Sequence, residues 1–305
     1  MTPAVEHSGL AHLREASRLA AMDIAEVVLP AHRQCIAGHT RLHYLDWGTA
    51  GRPPLLFLHG GCLTAHTWDL VCLALRGTRH CLALDQRGHG DSEWSPEADY
   101  HPAAHLRDLE GWTAHLGCER PVLVGQSMGA LNTLQFARTH GDRLAGIVLI
   151  DIAPGVHTSP GAARIRDFTH GPSELASVEA FLERALAFNP RRHPLLLRQS
   201  LMHNLRALPS GGFAWKYDRR LFGGGVASFP DVMRDLCEAA ATIACPTLVV
   251  RGAQSDVVRP EDAQAFTALF PRARLVEIED AGHTVQGDNP RALVAALRDF
   301  LATLD

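Results

Sequence analysis

One segment decides the fold class of this chain: Pro121-Val-Leu-Val-Gly-Gln-Ser-Met-Gly-Ala130-Leu-Asn-Thr-Leu-Gln-Phe-Ala137. Its first four residues form an apolar run, typical of a strand that is buried on both faces. Gly125-Gln-Ser-Met-Gly129 then matches the pattern G-x-S-x-G, and the residues that follow favour a helix. A strand, a tight turn and a helix in this order expose the serine hydroxyl at the turn. Ser127 is therefore the candidate nucleophile.

Similar apolar runs recur on both sides of this segment and alternate with stretches of helical periodicity. This alternation predicts an α/β fold with a doubly wound, mostly parallel sheet. The apolar or alternating runs lie at 41–46, 54–58, 80–84, 121–124, 144–150 and 246–250, and the helical stretches lie near 63–76, 102–117, 128–140, 260–269 and 289–303.

The alternation is interrupted once, and this interruption defines the predicted domains. Residues 155–240 contain helical stretches separated by Gly and Pro, without a clear buried strand, and are interpreted as a helical insertion. The sheet domain then comprises residues 25–154 and 241–305. Residues 1–24 form an N-terminal extension with an amphipathic helix at 9–22.

The composition excludes several classes of protein. The chain has 305 residues, of which 46% are hydrophobic and 20% charged, as in a globular protein with a sizeable core. A net charge of −4 argues against nucleic acid as a partner. No apolar stretch is long enough to span a membrane and no signal peptide begins the sequence, so we expect a cytoplasmic protein. The sequence does not determine the oligomeric state.

The cysteines and histidines show no cofactor or metal motif. The seven cysteines include no C-x-x-C pair, and most lie in apolar stretches, which favours buried free thiols in a reducing compartment. The histidines do not form the H-E-x-x-H spacing of a zinc site, and no glycine-rich nucleotide loop is present. We therefore expect neither a metal nor a cofactor.

Three further motifs extend the pattern around Ser127. Leu58-His-Gly-Gly61 is similar to the HG-x oxyanion loop of the α/β-hydrolase superfamily, and Asp85-Gln-Arg-Gly-His-Gly-Asp-Ser92 is similar to its D-x-R-G-x-G-x-S turn. Asp280-Ala-Gly-His283 resembles its histidine loop. With these motifs in the family order, the chain resembles a member of this superfamily with a serine nucleophile. The insertion resembles the helical cap that follows the sixth strand.

The resemblance assigns a role to each matching residue. Ser127 corresponds to the nucleophile and His283 to the general base, which a serine hydroxyl needs at neutral pH. The backbone N–H groups of Met128 and Gly61 correspond to the two oxyanion donors. The resemblance also implies that His59 orients its own loop.

A serine hydrolase also needs a carboxylate that orients the general base and completes a Ser-His-Asp triad, and the sequence offers two candidates for this acid. Asp256 is the preferred candidate because it lies in the loop after the run 246–250 and gives the chain order Ser, Asp, His. Asp151, at the end of the run 144–150, is the alternative, because some relatives place the acid there. Asp280 is interpreted as a surface residue of the histidine loop.

Other residues are candidates for the substrate pocket or for structure. Trp68, Phe213, Trp215 and Phe222 are candidates to line the pocket, with ordinary core packing as the alternative. Asp85, Arg87 and Asp91 are predicted to stabilise their turn, to which His89 also belongs. The insertion carries ten arginines and one lysine against eight acidic residues. Solvated helix faces explain this excess, and binding of an anionic, for example carboxylate-bearing, substrate is the alternative.

These residues predict hydrolysis of a small-molecule ester, lactone or related carbonyl compound through an acyl-enzyme. A serine nucleophile excludes the superfamily members that need a carboxylate, namely haloalkane dehalogenases and epoxide hydrolases. Cleavage of a carbon–carbon bond flanked by carbonyls remains open, as do acyltransferase, lyase and perhydrolase reactions at the same site. A ligand-binding protein that kept the fold is the alternative from another class, but it has no use for a complete triad.

Overall fold

The computed structural model describes residues 3–222 and 229–304. Its centre is an eight-stranded sheet with the order β1-β2-β4-β3-β5-β6-β10-β11. β2 pairs antiparallel with both β1 and β4, and all other neighbours in this sheet are parallel. The strands are β1 (Ala31–Ala37), β2 (Thr40–Asp46), β3 (Pro54–Leu58), β4 (His80–Asp85), β5 (Val122–Gln126), β6 (Gly146–Ile150), β10 (Thr247–Gly252) and β11 (Ala273–Ile278).

Helices cover both faces of this sheet. Alternate residues of each central strand point to opposite faces, so that Leu56 and Leu58 of β3 lie in one apolar cluster and Leu55 and Phe57 in the other. The continuous apolar runs of the sequence follow from this double burial. The helices are α1 (Pro3–Leu19), α2 (Asp69–Leu75), α3 (Pro102–Leu116), α4 (Met128–His140), α5 (Pro160–Thr169), α6 (Val178–Phe188), α7 (Pro194–Asn204), α8 (Phe229–Ala240), α9 (Pro260–Thr267), α10 (Val285–Asp288) and α11 (Pro290–Leu301).

Apolar or alternating runs in the sequence identify the inner strands of the sheet but not its two edge strands. Most residues of β1 are exposed, and β11 has a single fully buried residue, Ile278. An edge strand has only one neighbour and lies partly in solvent, so its sequence does not need a continuous apolar run. The carboxyl ends of β3, β5, β6 and β10 meet at one edge of the sheet, which is where an open α/β sheet places its site.

The insertion between β6 and β10 differs from an entirely helical segment. Besides α5, α6 and α7, it contains a three-stranded antiparallel sheet of the short strands β7 (Glu174–Leu175), β8 (Leu205–Ala207) and β9 (Phe213–Trp215). Strands of two or three residues are too short to produce a hydrophobic period. α8 differs in another way, because its Met233 and Leu236 are buried in a cluster of the central sheet and not in the insertion.

The N-terminal helix packs on the sheet domain. α1 starts earlier and ends earlier than the stretch 9–22 that the periodicity predicts. Leu13 lies in the same apolar cluster as Phe57 and Trp68, and Gly9 lies against Leu29. Among the helices that the structure describes, none is long and apolar enough to cross a membrane.

Candidate active site

Ser127 lies on a strained turn between β5 and α4. Its backbone has φ 53° and ψ −114°, a conformation that a residue with a side chain rarely adopts. Such a conformation costs on the order of 1–3 kcal/mol and persists only where the surroundings enforce it. Here, the Ser127 N–H donates to Ile150 O over 3.0 Å, and the N–H of Ala130 donates to Ser127 O over 2.9 Å.

Two glycines make this turn possible because of the space around them. A Cβ atom on Gly125 would lie 2.2 Å from the carbonyl oxygen of Gly129. A Cβ atom on Gly129 would lie 2.3 Å from the carbonyl oxygen of Leu58, at the end of β3. Both distances are too short for any side chain. The two glycines of the G-x-S-x-G pattern therefore let α4 start directly against β3 and β5.

Three side chains from distant parts of the chain form a continuous hydrogen-bonded line. Nε2 of His283 lies 3.1 Å from Oγ of Ser127, and Nδ1 of His283 lies 2.8 Å from Oδ2 of Asp151. Asp151 is fully buried, and 17% of the His283 side chain is exposed. A neutral imidazole that donates through Nδ1 to the carboxylate accepts the serine proton through Nε2.

The structure places Asp151, and not Asp256, against His283. Asp256 is instead paired with Arg164 of α5, with 2.7 Å between Oδ2 and Nη1, and 34% of its side chain is exposed. The preferred assignment from the sequence is therefore corrected to the alternative. The reason lies in the loop after β10, where the N–H groups of Val257 and Val258 both donate to Ser255 Oγ. This turn buries Ser255 and leaves its neighbour Asp256 at the surface.

No sequence motif predicts the roles of two further residues of the site, Ser255 and Gln126. Ser255 donates its hydroxyl to Oδ2 of Asp151 over 2.6 Å, and the N–H of Gly252 donates to Oδ1 over 3.1 Å. Gln126, which occupies the first x position of the G-x-S-x-G pattern, donates through Nε2 to the carbonyl oxygen of His283 over 3.0 Å. Serine and glutamine are common polar residues, so only the fold shows that these two hold Asp151 and His283 in place.

The loop after β3 runs beside the serine. A Cβ atom on Gly60 would lie 3.4 Å from Cβ of Ser127, and the position of a Cβ on Gly61 is open. Met128 is the first residue of α4, whose first four N–H groups have no partner within the helix. The N–H of Met128 and the helix dipole therefore contribute positive potential near Ser127, where an oxyanion would form.

Two buried neutral histidines hold the residues on either side of Gly61. His59 donates through Nδ1 to Gly60 O over 2.8 Å and accepts from the N–H of Gln86 over 3.0 Å. His89 accepts from the N–H of Cys62 over 3.2 Å and donates to Arg87 O over 3.0 Å. Burial lowers the pKa of His59 and lowers that of His89 to about 3, so both rings stay neutral and keep these tautomers.

Asp85 fixes the turn that carries His89. Its carboxylate accepts from Nδ1 of His43 and from the N–H of Ala65, both over 2.7 Å, and from the N–H of Asp91 over 3.0 Å. Burial alone would raise the pKa of this carboxyl group. The hydrogen bond and the charge of His43 outweigh burial and hold the pKa below its usual range. Its neighbour Arg87 forms a buried bidentate pair with Asp108. These residues therefore have the structural role that the sequence predicts for this turn.

The residues that the sequence suggests for the substrate pocket lie in different parts of the structure. Trp68 is fully buried in the core, with its ring centroid 5.1 Å from that of Phe57, and this corrects its assignment to the pocket. Phe213 and Trp215 belong to the apolar cluster of the insertion, against which Cys62 packs next to Gly61. They remain candidates because this cluster reaches the loop after β3. The side chain of Phe222 lies outside the described part of the structure.

Cys62, next to Gly61, does not have the properties of a nucleophile. Its thiol is hydrogen-bonded to the hydroxyl of Tyr217, and burial raises its pKa to about 12. A thiol with this pKa remains protonated at neutral pH, and the thiolate is the nucleophilic form.

A cavity of about 320 Å³ lies away from this chemistry. Its lining includes Pro121 and Leu144, which precede β5 and β6, whereas Ser127 and Asp151 follow the same strands. The cavity therefore opens at the opposite edge of the sheet and is not the substrate pocket.

Comparison with known proteins agrees with this architecture. Residues 55–297 match the model of the alpha/beta hydrolase family. The chain is 33% identical to the esterase Rv0045c of Mycobacterium tuberculosis over 85% of its own length and 86% of that protein. It is 32% identical to the sn-1-specific diacylglycerol lipase ABHD11 of Mus musculus, over 84% of its own length and 83% of the lipase. A solved structure of the M. tuberculosis esterase matches with a TM-score of 0.79 and 30% identity, over 96% of this chain and 98% of that one.

The chain belongs to the alpha/beta hydrolase family. It is a hydrolase, as the sequence predicts, and its mostly parallel eight-stranded sheet confirms the predicted fold class.

Proposed function

We propose that this protein is a serine esterase that hydrolyses a small or medium-sized carboxylic ester through an acyl-enzyme on Ser127. The observation that carries the proposal is the line of hydrogen bonds from Ser127 through His283 to Asp151, at 3.1 and 2.8 Å. The two relatives described above, an esterase and a lipase, support an ester as the substrate class.

In the proposed reaction, His283 removes the hydroxyl proton of Ser127 as its Oγ attacks the ester carbonyl. The carbonyl π electrons move to oxygen, where the N–H groups of Gly61 and Met128 stabilise the oxyanion. When the tetrahedral intermediate collapses, His283 Nε2 returns the proton to the leaving alcohol. Water then attacks the acyl-enzyme with the same proton transfers and releases the acid. Asp151 stays ionised and stabilises the imidazolium.

We further propose that the insertion acts as a cap over this site and selects the substrate. Its residues pair with the Asp85–Ser92 turn, because the N–H of Gly90 donates to Lys216 O and the N–H of Asp218 donates to Gly88 O, both over 2.8 Å. The aromatic cluster around Trp215 and Tyr217 packs on Cys62. An apolar wall beside the oxyanion loop favours an aliphatic or aromatic acyl group, held mainly by burial of its surface.

The test combines covalent labelling with kinetics. The full chain is treated with a fluorophosphonate and analysed by intact-protein and peptide mass spectrometry, while hydrolysis of p-nitrophenyl esters of increasing acyl length is followed in parallel. We expect a single adduct on Ser127 that is absent from His283→Ala. Ser127→Ala should lose about 10³- to 10⁶-fold in kcat.

Ser92→Ala is not a suitable control, because Ser92 fixes the turn of Asp85. Ser8→Ala is suitable, since Ser8 is exposed in α1, outside the insertion. A folded protein without an adduct on Ser127, or a Ser127→Ala variant with the wild-type rate, would refute the proposal.

A further inference from the structure

A second cluster of chemically active side chains lies where the insertion meets the sheet domain. His66 lies in the short helix Ala65–Trp68, which follows the loop of Gly60 and Gly61, and Asp69 begins α2. His203 comes from the last turn of α7, in the insertion. The rings of His66 and His203 stack with their centroids 3.6 Å apart and 18° between their planes. We call these three residues the junction cluster.

The possible ligand atoms of the junction cluster lie close together. One ligand atom from each of the three side chains lies within 4.8 Å of the other two. A carboxylate oxygen of Asp69 lies 3.0 Å from Nδ1 of His66. The side chains of His66 and Asp69 are 13% and 12% exposed, so they are largely shielded from water and still accessible to a small ion.

The ring nitrogens of His203 have no hydrogen-bond partner among the described residues. The ring itself is more than half buried. The next residue, Asn204, is hydrogen-bonded to Thr64 across the junction over 3.0 Å. That bond fixes the end of α7, so His203 is held beside His66. A buried imidazole nitrogen without a partner loses hydration free energy unless its lone pair is used.

We propose that the junction cluster of His66, Asp69 and His203 binds one divalent transition-metal ion such as Zn²⁺. The ion would link α7 to the segment that follows the oxyanion loop. Two imidazoles and one carboxylate form a ligand set that Zn²⁺ prefers. Ligand atoms about 2.0–2.1 Å from a tetrahedral ion lie roughly 3.3 Å from one another. Side-chain rotations that unstack the two rings would bring the three ligand atoms to these distances, with the Asp69–His66 hydrogen bond exchanged for a metal bond.

The surroundings of the junction cluster provide a fourth ligand and access to solvent. His32 is exposed, and its ring centroid lies 5.8 Å from that of His66. Its Nδ1 lies 2.9 Å from Nε2 of His43, so His32 is already hydrogen-bonded beside the cluster. A water molecule is the fourth ligand that completes a tetrahedral site.

The positive charge near the junction cluster is already compensated. Lys216 is the cation whose charge acts on His66, and it is ion-paired with Asp91, with 2.7 Å between Nζ and Oδ1. An ion at the junction cluster would therefore meet the carboxylate of Asp69, while Asp91 compensates the charge of Lys216.

A neighbouring group of possible ligands, formed by His43, Asp85 and Asp91, is not a metal site. Each carboxylate oxygen of Asp85 is already used by the turn, as described above, and Asp91 pairs with Lys216. The junction cluster differs from this group because His203 has no such structural bond.

The experiment uses the full chain, stripped of metal with a chelator and then titrated with Zn²⁺ by isothermal calorimetry. The same protein is titrated with Co²⁺, whose visible absorption reports a tetrahedral site with nitrogen ligands. We expect one Zn²⁺ per chain, a visible Co²⁺ spectrum and a higher Tm in the presence of Zn²⁺. His203→Ala and Asp69→Asn should each weaken binding at least about tenfold and abolish the Co²⁺ spectrum.

His39→Ala is the matched control, because His39 is exposed in the turn between β1 and β2. It should bind Zn²⁺ as the wild type does. Asp69→Asn nearly preserves the size of the side chain, so it separates the loss of a ligand from the loss of packing in His203→Ala. The absence of stoichiometric Zn²⁺ binding to the wild type, or wild-type binding by both His203→Ala and Asp69→Asn, would overturn the proposal. Neither result depends on esterase activity.

Discussion

Asp151 and His283 are 132 residues apart in the chain, yet Oδ2 of Asp151 lies 2.8 Å from Nδ1 of His283. The sheet explains this proximity. Asp151 directly follows β6, and His283 lies in the loop after β11, with β10 between the two strands. The loop after β10 supplies Ser255, which donates to the same carboxylate oxygen of Asp151. Three adjacent strand ends therefore build one half of the site.

The first prediction concerns the acid of the proposed catalytic triad. Asp151→Asn keeps the shape of the side chain but no longer stabilises the imidazolium, so kcat should fall by about 10⁴-fold. Asp256→Asn is the matched control. It should leave kcat unchanged because it removes only a half-exposed pair with Arg164, and such pairs contribute little. Steady-state kinetics on one p-nitrophenyl ester measures both. A large loss in Asp256→Asn with normal activity in Asp151→Asn would restore the assignment preferred from the sequence.

The comparison of Asp151 with Asp256 shows what the sequence determines about this protein. The central strands and the G-x-S-x-G turn could be predicted, because burial on both faces and a tight turn restrict the residue types locally. The choice between two aspartates depends on which way a loop turns, and the direction of that turn is set by hydrogen bonds to Ser255. The junction cluster combines residues from two parts of the chain about 140 positions apart, so no local pattern predicts it.

The second prediction tests Ser255 as a positioning residue. Its hydroxyl acts on the reaction through Asp151, so Ser255→Ala should lower kcat about tenfold, the effect of one lost hydrogen bond of about 1.4 kcal/mol. KM should stay constant, because Ser255 does not touch the substrate. Ser255→Thr retains the hydroxyl and should restore most of kcat. Equal kcat in wild type and Ser255→Ala would show that Asp151 is held without Ser255.

The third prediction concerns the stability of the turn at Ser127. Gly129→Ala places a Cβ atom 2.3 Å from Leu58 O, so α4 must move away from β3. We expect a loss of about 1–3 kcal/mol in the free energy of unfolding, as is typical of overpacking. Gly141→Ala is the control, because no atom lies within 4 Å of its Cβ position and its φ is −60°. Urea denaturation of the three proteins measures the difference. An equal stability of both variants would mean that the turn adapts without cost.

The last prediction uses the lowered pKa of Asp85, which lies in the turn that positions His89 and, through it, Cys62. Asp85→Asn removes a buried charge that accepts hydrogen bonds from His43 and Ala65, and we expect it to lower the free energy of unfolding by about 3 kcal/mol at pH 7.

The pH dependence of that loss follows from the sign of the pKa shift. The folded-state pKa lies below the unfolded value of about 3.9, so the contribution of Asp85 is complete above about pH 5 and decreases as the pH falls below about 4. The difference between wild type and Asp85→Asn in urea denaturation should therefore be constant from pH 7 to about pH 5 and become smaller at lower pH. Asp91→Asn, whose carboxylate is 48% exposed, serves as the control and should cost less than about 1 kcal/mol. A difference for Asp85→Asn that widens as the pH falls would show that burial, and not the bond to His43, dominates the titration of this carboxyl group.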